Sequence, residues 1–354
     1  MIIKKLSAWI VEMPLDEPYE VAYQSFDTAV NVMLRLETDR GIEGSGCAAP
    51  DPNVTGETPQ GVLEALQDTV ASQISGQDAL RPARLLHRIV PSIRDQRSAR
   101  AALDMALWDL MGKAAGLPLW RLLGGYRQSI RTSITIGILD KRETLQRARC
   151  WRSQGFTSLK LKGGKDVESD IARVLAVRRE LGDEVELRFD ANQGYGVEEA
   201  LHFVGAVRPA RVEILEQPTP KAHPHLLGEV SRGAPSMPVM ADESLINHRD
   251  AFRLARRGQA DMVNIKLQKA GGISEALHID SVARSARLES MVGCMDESAL
   301  GIAAGLAFAL ARPNVHYADL DGHIGLQNDP FPNCLTLSNG VLYPSPHSGL
   351  GTAS

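Results

Sequence analysis

No uninterrupted apolar stretch of this chain is long enough to span a bilayer, which excludes a transmembrane helix. Cysteine is scarce. Cys47, Cys150, Cys294 and Cys334 are scattered without Cys-x-x-Cys spacing. This argues against a disulfide framework and fits a reduced, cytoplasmic protein. There is no excess of positive charge. A formal net charge of -4 and a pI near 6.2 argue against a nucleic-acid partner. The opening stretch MIIKKLSAWIVEMPLDEP alternates like a strand and breaks at Pro14. It lacks a long apolar core and a small-residue cleavage site, so no signal peptide is expected. Low-complexity tracts are missing too, and no glycine-rich phosphate fingerprint follows the early strands.

What the chain does have is regular spacing. Its 354 residues, 44% of them apolar, exceed one ordinary domain or fit one large barrel with an appendage. Three parts are expected: 1–125, 126–323 and 324–354. In the first, residues 2–13, 30–38 and 42–48 read as strands. Residues 58–72 and 98–115 read as helices, with Ser98 as an N-cap and Gly116 as a stop. Gly124-Gly125 reads as a hinge, and the loop with Pro50, Pro52 and Gly56 could lie over a neighbouring site. In the second part, Gly137, Lys162, Asp190, Glu216, Asp242, Lys266, Gly293 and Asp319 close strand-like runs every 24 to 28 residues. That period is one strand, one helix and two loops, so a parallel (β/α) barrel is expected rather than an open doubly wound sheet. The last part is rich in Pro, Gly and Asn and is expected to return to the first.

Asp190, Glu216 and Asp242 fall at equal intervals of 26 residues. Barrel geometry would put them at one end of three consecutive strands, where hard oxygen ligands hold Mg²⁺. One such acid alone would read as a helix cap. Three in register favour the metal, and with no His or Cys cluster nearby zinc is disfavoured. Asn192 would point the same way as Asp190 and could support it. Lys160 and Lys162 are two apart and face one side of their strand, while Lys266 closes another strand beyond the acids. Mutual repulsion and a nearby cation could bring a lysine from ~10.4 toward about 7–8, where it serves as a base. Lys165 and Lys269 read as solvated. Two lysines on opposite faces of a carbon acid suit racemisation or epimerisation, with Mg²⁺ stabilising the enediolate.

These motifs resemble the enolase superfamily in its muconate-lactonizing-enzyme subgroup. The matching stretches are LKLK, DAN, EQP, ADES, NIKLQKAGG and the run ALDMALWDLMGKAAGLPLWRLLGG over residues 102–125. The resemblance implies an α+β capping domain on a modified TIM barrel, (β/α)7β. It implies Mg²⁺ on Asp190, Glu216 and Asp242, acid/base roles for Lys162 and Lys266, and Lys160 on the substrate carboxylate or tuning Lys162. Even-numbered assemblies are usual in that family, so a homo-oligomer is expected, with no membrane or nucleic-acid partner.

YADLDG places Asp319 and Asp321 on one face, as an ammonium clamp. The pair resembles the Asp-x-Asp signature of dipeptide epimerases, although one Asp could instead close a turn. Thr135 joins the substrate-binding set. Relatives that epimerise Ala-Glu carry an arginine near Gln24, and Gln24 cannot neutralise a glutamate. If Asp51 and Asp296 face the pocket, they favour a cationic side chain; the alternative is a loop acid and a helix cap. Glu297 reads as structural, and His248, His278 and His323 receive no role. The expected activity is Mg²⁺-dependent epimerisation of the C-terminal residue of an L,L-dipeptide with a cationic or other non-acidic side chain. The alternatives are an N-acylamino acid racemase or o-succinylbenzoate synthase, and a non-catalytic metabolite-binding relative.

Overall fold

The computed structural model describes residues 1–20 and 25–352. Strands β1 (Ile3–Glu20), β2 (Ser25–Thr38) and β3 (Glu43–Ala48) form an antiparallel sheet in that order. The expected break at Pro14 is instead a register irregularity between Pro14 and Tyr19. Proline cannot donate to the ladder, yet it is tolerated where pairing is already disturbed. Residues expected as one helix at 58–72 form Pro59–Glu64, a π turn Ala65–Val70 and Ala71–Ile74, begun by a Thr58 cap. The long helix Arg97–Ala115 packs across the sheet, burying Ala102, Leu103, Ala106 and Leu107 against Val32, Leu34 and Leu36. Gly116, at φ 66, ends it as expected.

Ser98 is not its N-cap. The helix starts one residue earlier, after Gln96, which makes no side-chain cap. The Ser98 N–H and hydroxyl both donate to the buried Glu57 carboxylate, at 2.9 and 2.8 Å. An acid from another segment therefore satisfies the free N–H groups of that first turn.

Eight strands then follow with helices between them: β5 (Ile134–Ile136), β6 (Ser158–Lys162), β7 (Glu186–Asp190), β8 (Val212–Glu216), β9 (Val239–Ala241), β10 (Met262–Lys266), β11 (Glu289–Gly293) and β12 (Val315–Asp319). They pair in chain order as one parallel sheet, and a Thr132–Ala318 bridge joins its first edge to its last. Ile214, Met240, Met262 and Met291 fill the interior. Strand ends match expectation within one residue, with Gly137 and Asp242 just past theirs. The short strand β4 (Ile130–Arg131) pairs with the hairpin β13 (Leu335–Ser338) and β14 (Val341–Pro344). After the hairpin the chain meets the long helix, where Leu350 N–H donates to Asp109 (2.7 Å) and Lys113 to Thr352 (2.6 Å). Among the described residues no helix is long and apolar enough to cross a membrane.

Two devices hold the barrel mouth. Buried Arg173 donates to the carbonyls of Lys162 and Gly137, both at 2.8 Å, and locks the ends of β5 and β6 together. The loops after β6 and β7 touch through Gly164 (φ +101) and Gly194. A Cβ at Gly194 would lie 2.1 Å from the Gly164 carbonyl oxygen. Gly194→Ala should therefore force these loops apart and destabilise the protein by about 1–3 kcal/mol. Urea denaturation checks this, and an unchanged midpoint would show that the contact relaxes freely.

Candidate active site

Strand alternation turns Lys160 and Lys162, on β6, into the barrel mouth. Asp190 and Glu216 close β7 and β8, Asp242 follows β9, and Lys266 closes β10. The three carboxylates therefore occupy adjacent strands, flanked by the two lysine strands. All of these side chains are buried, and oxygens of Asp190, Glu216 and Asp242 lie within 4.8 Å of one another.

Each group has a distinct partner. Lys162 Nζ donates to Asp190 (2.6 Å), and Lys266 pairs with Asp242 (2.9 Å). Lys160 pairs with Asp319 and approaches Glu216 only to 3.8 Å. Asn264 Nδ2 donates to Glu216 Oε1 (2.6 Å), yet among the described residues Glu216 Oε2 is buried without a hydrogen-bond donor, as is Glu243 Oε2. Burial alone would push both Lys160 and Lys266 down, but Asp319 and Glu216 hold the first up, and Asp242, Glu216 and Glu243 the second. The depressed lysine expected from repulsion is thus not what these two show: carboxylates outweigh the neighbouring lysines. Burial opposes ionisation of Asp242, but Lys266 and Lys269 outweigh it and hold the carboxyl below its usual range. Burial and then the Asp190 charge push Glu216 up to about 8. Burial, Asp242 and Asp190 push Glu243 to about 7.

This arrangement fits a hard divalent cation. The donor set is all oxygen, its members are within reach of one centre, and one carboxylate oxygen lacks a hydrogen-bond partner among the described residues. Asp190, Glu216, Asp242, Glu243, Asp319 and Asp321 face Lys160, Lys162, Lys266 and Lys269.

Lys269 corrects the sequence reading. It is buried, not solvated, and its ammonium donates to both the carboxylate and the carbonyl of Asp242. The helical turn Leu267–Ala270 follows β10 immediately and folds Lys269 back toward the mouth. Asn192 supports Asp190 through its backbone N–H (2.8 Å), while its amide faces Glu243 at 3.5 Å.

A cavity of about 740 Å³ opens here, and Lys160, Lys162, Lys266, Asp319, Asp321, Thr135, Asp51 and Asp296 all line it. Asp319 is committed to Lys160 and to Ser133 Oγ (2.6 Å). Asp321 accepts the Thr135 N–H at 2.7 Å and meets Cys294 Sγ in a long contact of 3.8 Å. The two are not an equivalent pair: Asp321 is the freer carboxylate. Asp296 is not a helix cap, since Ser298 caps the helix Ala299–Ala311. It accepts the Tyr19 hydroxyl at 2.8 Å, and burial brings it up to about 6. Asp51 reaches the cavity but also accepts the N–H groups of Asn53 and Val54, at 2.7 and 3.0 Å, so it shapes its own loop. Glu297 is buried against Gln268 at 2.6 Å, which matches a structural place. Gln24 lies outside the described residues. Asn264, Glu243, Ser133 and Tyr19 escaped the sequence reading. Asn264 alone carried a signal, lying two residues before Lys266 on the same strand face.

Residues 5–124 match the family model described as the mandelate racemase / muconate lactonizing enzyme N-terminal domain. Residues 143–353 match the model described as enolase C-terminal domain-like. The L-Lys-D/L-Arg epimerase of Desulforapulum autotrophicum is 38% identical over 352 residues, 99% of each chain. The dipeptide epimerase of Methylococcus capsulatus, complexed with Mg and L-Arg-D-Lys, superposes with a TM-score of 0.95 at 36% identity and 100% coverage of both chains. The substrate-liganded L-Ala-D/L-Glu epimerase of Bacillus subtilis gives 0.97 at 34% identity, covering 100% of this chain and 99% of that one.

The raised carboxyls imply a pH dependence. Glu216, ordinarily near 4.5, keeps its proton up to about 8 in the folded, metal-free protein. Between those values the folded state holds a proton that the unfolded chain has lost, so stability falls as pH rises. Glu243 and Glu297, each brought to about 7, act in the same direction. Asp242 is shifted the other way, but its effect falls below its ordinary 3.8, outside this window. In EDTA, urea denaturation should show lower stability at about pH 8 than at about pH 5.5, with saturating Mg²⁺ flattening the slope. A slope that Mg²⁺ leaves unchanged would remove Glu216 as its source.

Proposed function

The chain belongs to the mandelate racemase / muconate lactonizing enzyme family of the enolase superfamily, it is a Mg²⁺-dependent dipeptide epimerase, and we propose that it inverts the C-terminal residue of L,L-dipeptides with cationic side chains. The observation that supports the chemistry is the strand order. Lys162 on β6 and Lys266 on β10 lie on either side of the strands carrying Asp190, Glu216 and Asp242. A substrate α-carbon between the two lysines would have one ammonium or amine on each face. In this reading one lysine accepts the α-proton and the other returns a proton from the opposite face. The pairs with Asp190 and Asp242 aim both side chains inward. Asp190, Glu216 and Asp242 would hold Mg²⁺, which supplies positive charge where negative charge develops as the proton leaves. Its charge would also offset the carboxylate field that holds Lys266 up.

Substrate choice is assigned to the remaining cavity groups. Asp321 would take the N-terminal ammonium, with Asp319 and Lys160 behind it. Thr135 fixes Asp321 through its backbone. Asp51 and Asp296 would favour a cationic side chain, and two carboxylates there would disfavour an acidic one. The division of labour proposed is a cap over 1–125, which supplies Tyr19 and Asp51, a barrel over 126–323, and a C-terminal segment over 324–354 packed on the long helix. The four cysteines are free, which supports a reducing, cytoplasmic setting.

Incubation of the Mg²⁺-loaded enzyme with L,L-dipeptides in D₂O should add one mass unit to dipeptides ending in Lys or Arg. Asp321→Asn should lower kcat/KM by about 2 kcal/mol, roughly 30-fold, by weakening the ammonium contact. If no dipeptide gains deuterium, the epimerase reading fails. If Asp321→Asn is silent, the ammonium clamp is misplaced and an N-acyl substrate is favoured.

A further inference from the structure

Away from the barrel mouth cavity, two imidazoles and a carboxylate converge on neighbouring elements. His248 opens the helix His248–Arg257, and Glu275 and His278 share one face of the helix Ile273–Ser285. Their ligand atoms all lie within 4.8 Å of one another. His248 Nδ1 is 2.7 Å from Glu275 Oε1, and His278 Nδ1 is 3.7 Å from Oε2 of the same carboxylate. The His248 N–H also donates to Glu275 Oε1 at 2.8 Å, which holds that carboxylate between the two rings. The side chains are 44%, 14% and 68% exposed, in the order His248, Glu275, His278, so an ion could reach them from solvent.

We propose that His248, Glu275 and His278 form a second metal site, selective for a borderline divalent ion of the Zn²⁺ type. Imidazole nitrogen suits zinc and its neighbours and not Mg²⁺, which demands oxygen. A Glu-x-x-His pair on one helix face plus a histidine from the adjoining helix supplies three ligands, with water as the fourth. Tetrahedral coordination needs only side-chain adjustments from the present distances, since both helices already hold the groups face to face. Glu275 also acts electrostatically on the Arg100 guanidinium. The ion would clamp the N-terminal halves of the helices His248–Arg257 and Ile273–Ser285. It stabilises the barrel without entering the reaction.

The test is calorimetric titration of ZnCl₂ into the full-length enzyme saturated with Mg²⁺, with anomalous diffraction at the zinc edge. Wild type should take up one equivalent at this site and melt at a higher temperature. His278→Ala and Glu275→Gln should each bind zinc at least about tenfold more weakly, since losing a ligand costs no less than losing an outer partner. His278→Ala should keep the zinc-free melting temperature and the Mg²⁺-supported activity. The proposal is overturned if wild type shows no saturable zinc uptake. It is equally overturned if both variants bind zinc like wild type, which would place the ion elsewhere, for example at the neighbouring rings of His223 and His225.

Discussion

Buried charge at the mouth of the barrel is the constraint on which the rest depends. Asp190, Glu216, Asp242, Glu243 and Asp319 are removed from water together with Lys160, Lys162, Lys266 and Lys269. Isolated charges would not survive there, because burial costs several kcal/mol per ion unless partners repay it. Lys162–Asp190, Lys266–Asp242 and Lys160–Asp319 repay most of it. Glu216 and Glu243 are the exceptions: among the described residues each keeps one buried carboxylate oxygen without a donor, the other Glu216 oxygen accepting from Asn264. Burial and the neighbouring Asp190 charge raise the Glu216 carboxyl, and its undonated oxygen fits a divalent cation.

The fold exists around this cluster. A parallel barrel brings eight strand ends to one rim, and charged side chains placed there need not cross the apolar interior of Ile214, Met240, Met262 and Met291. Arg173 and the Gly164–Gly194 contact fix the β6 and β7 rim, where small shifts would misalign Lys162 and Asp190. The antiparallel sheet adds what the rim cannot supply. It brings Tyr19 to Asp296 and the following loop brings Asp51 to the cavity, so the cavity is lined by both units.

Much of this was legible in the sequence, for a physical reason. A strand–helix repeat has a nearly constant length, so rim residues recur at nearly constant spacing and period-2 alternation marks which neighbours join them. Lys160, Lys162, Asp190, Glu216, Asp242, Lys266 and Asp319 were all found this way, and Asn264 could have been. Lys269 was misread because one short helical turn after β10 reverses its direction, which spacing does not reveal. Glu57 at Ser98 and Tyr19 at Asp296 depend on contacts between distant segments and leave no local pattern. His248 and Glu275 are one repeat apart, 27 residues, and so occupy equivalent corners of adjacent units. Their meeting was visible only once the repeat was known to be a barrel.

The central claim is that Lys162 and Lys266 work on opposite faces of one carbon. It is tested most directly by following α-proton exchange in D₂O with Lys162→Ala and Lys266→Ala, each given the L,L and the L,D dipeptide separately. The account predicts that neither variant interconverts the epimers. Each should still exchange the α-proton of one epimer only, and the two variants should retain opposite epimers. Continued epimerisation by either variant, or retention of the same epimer by both, would contradict it.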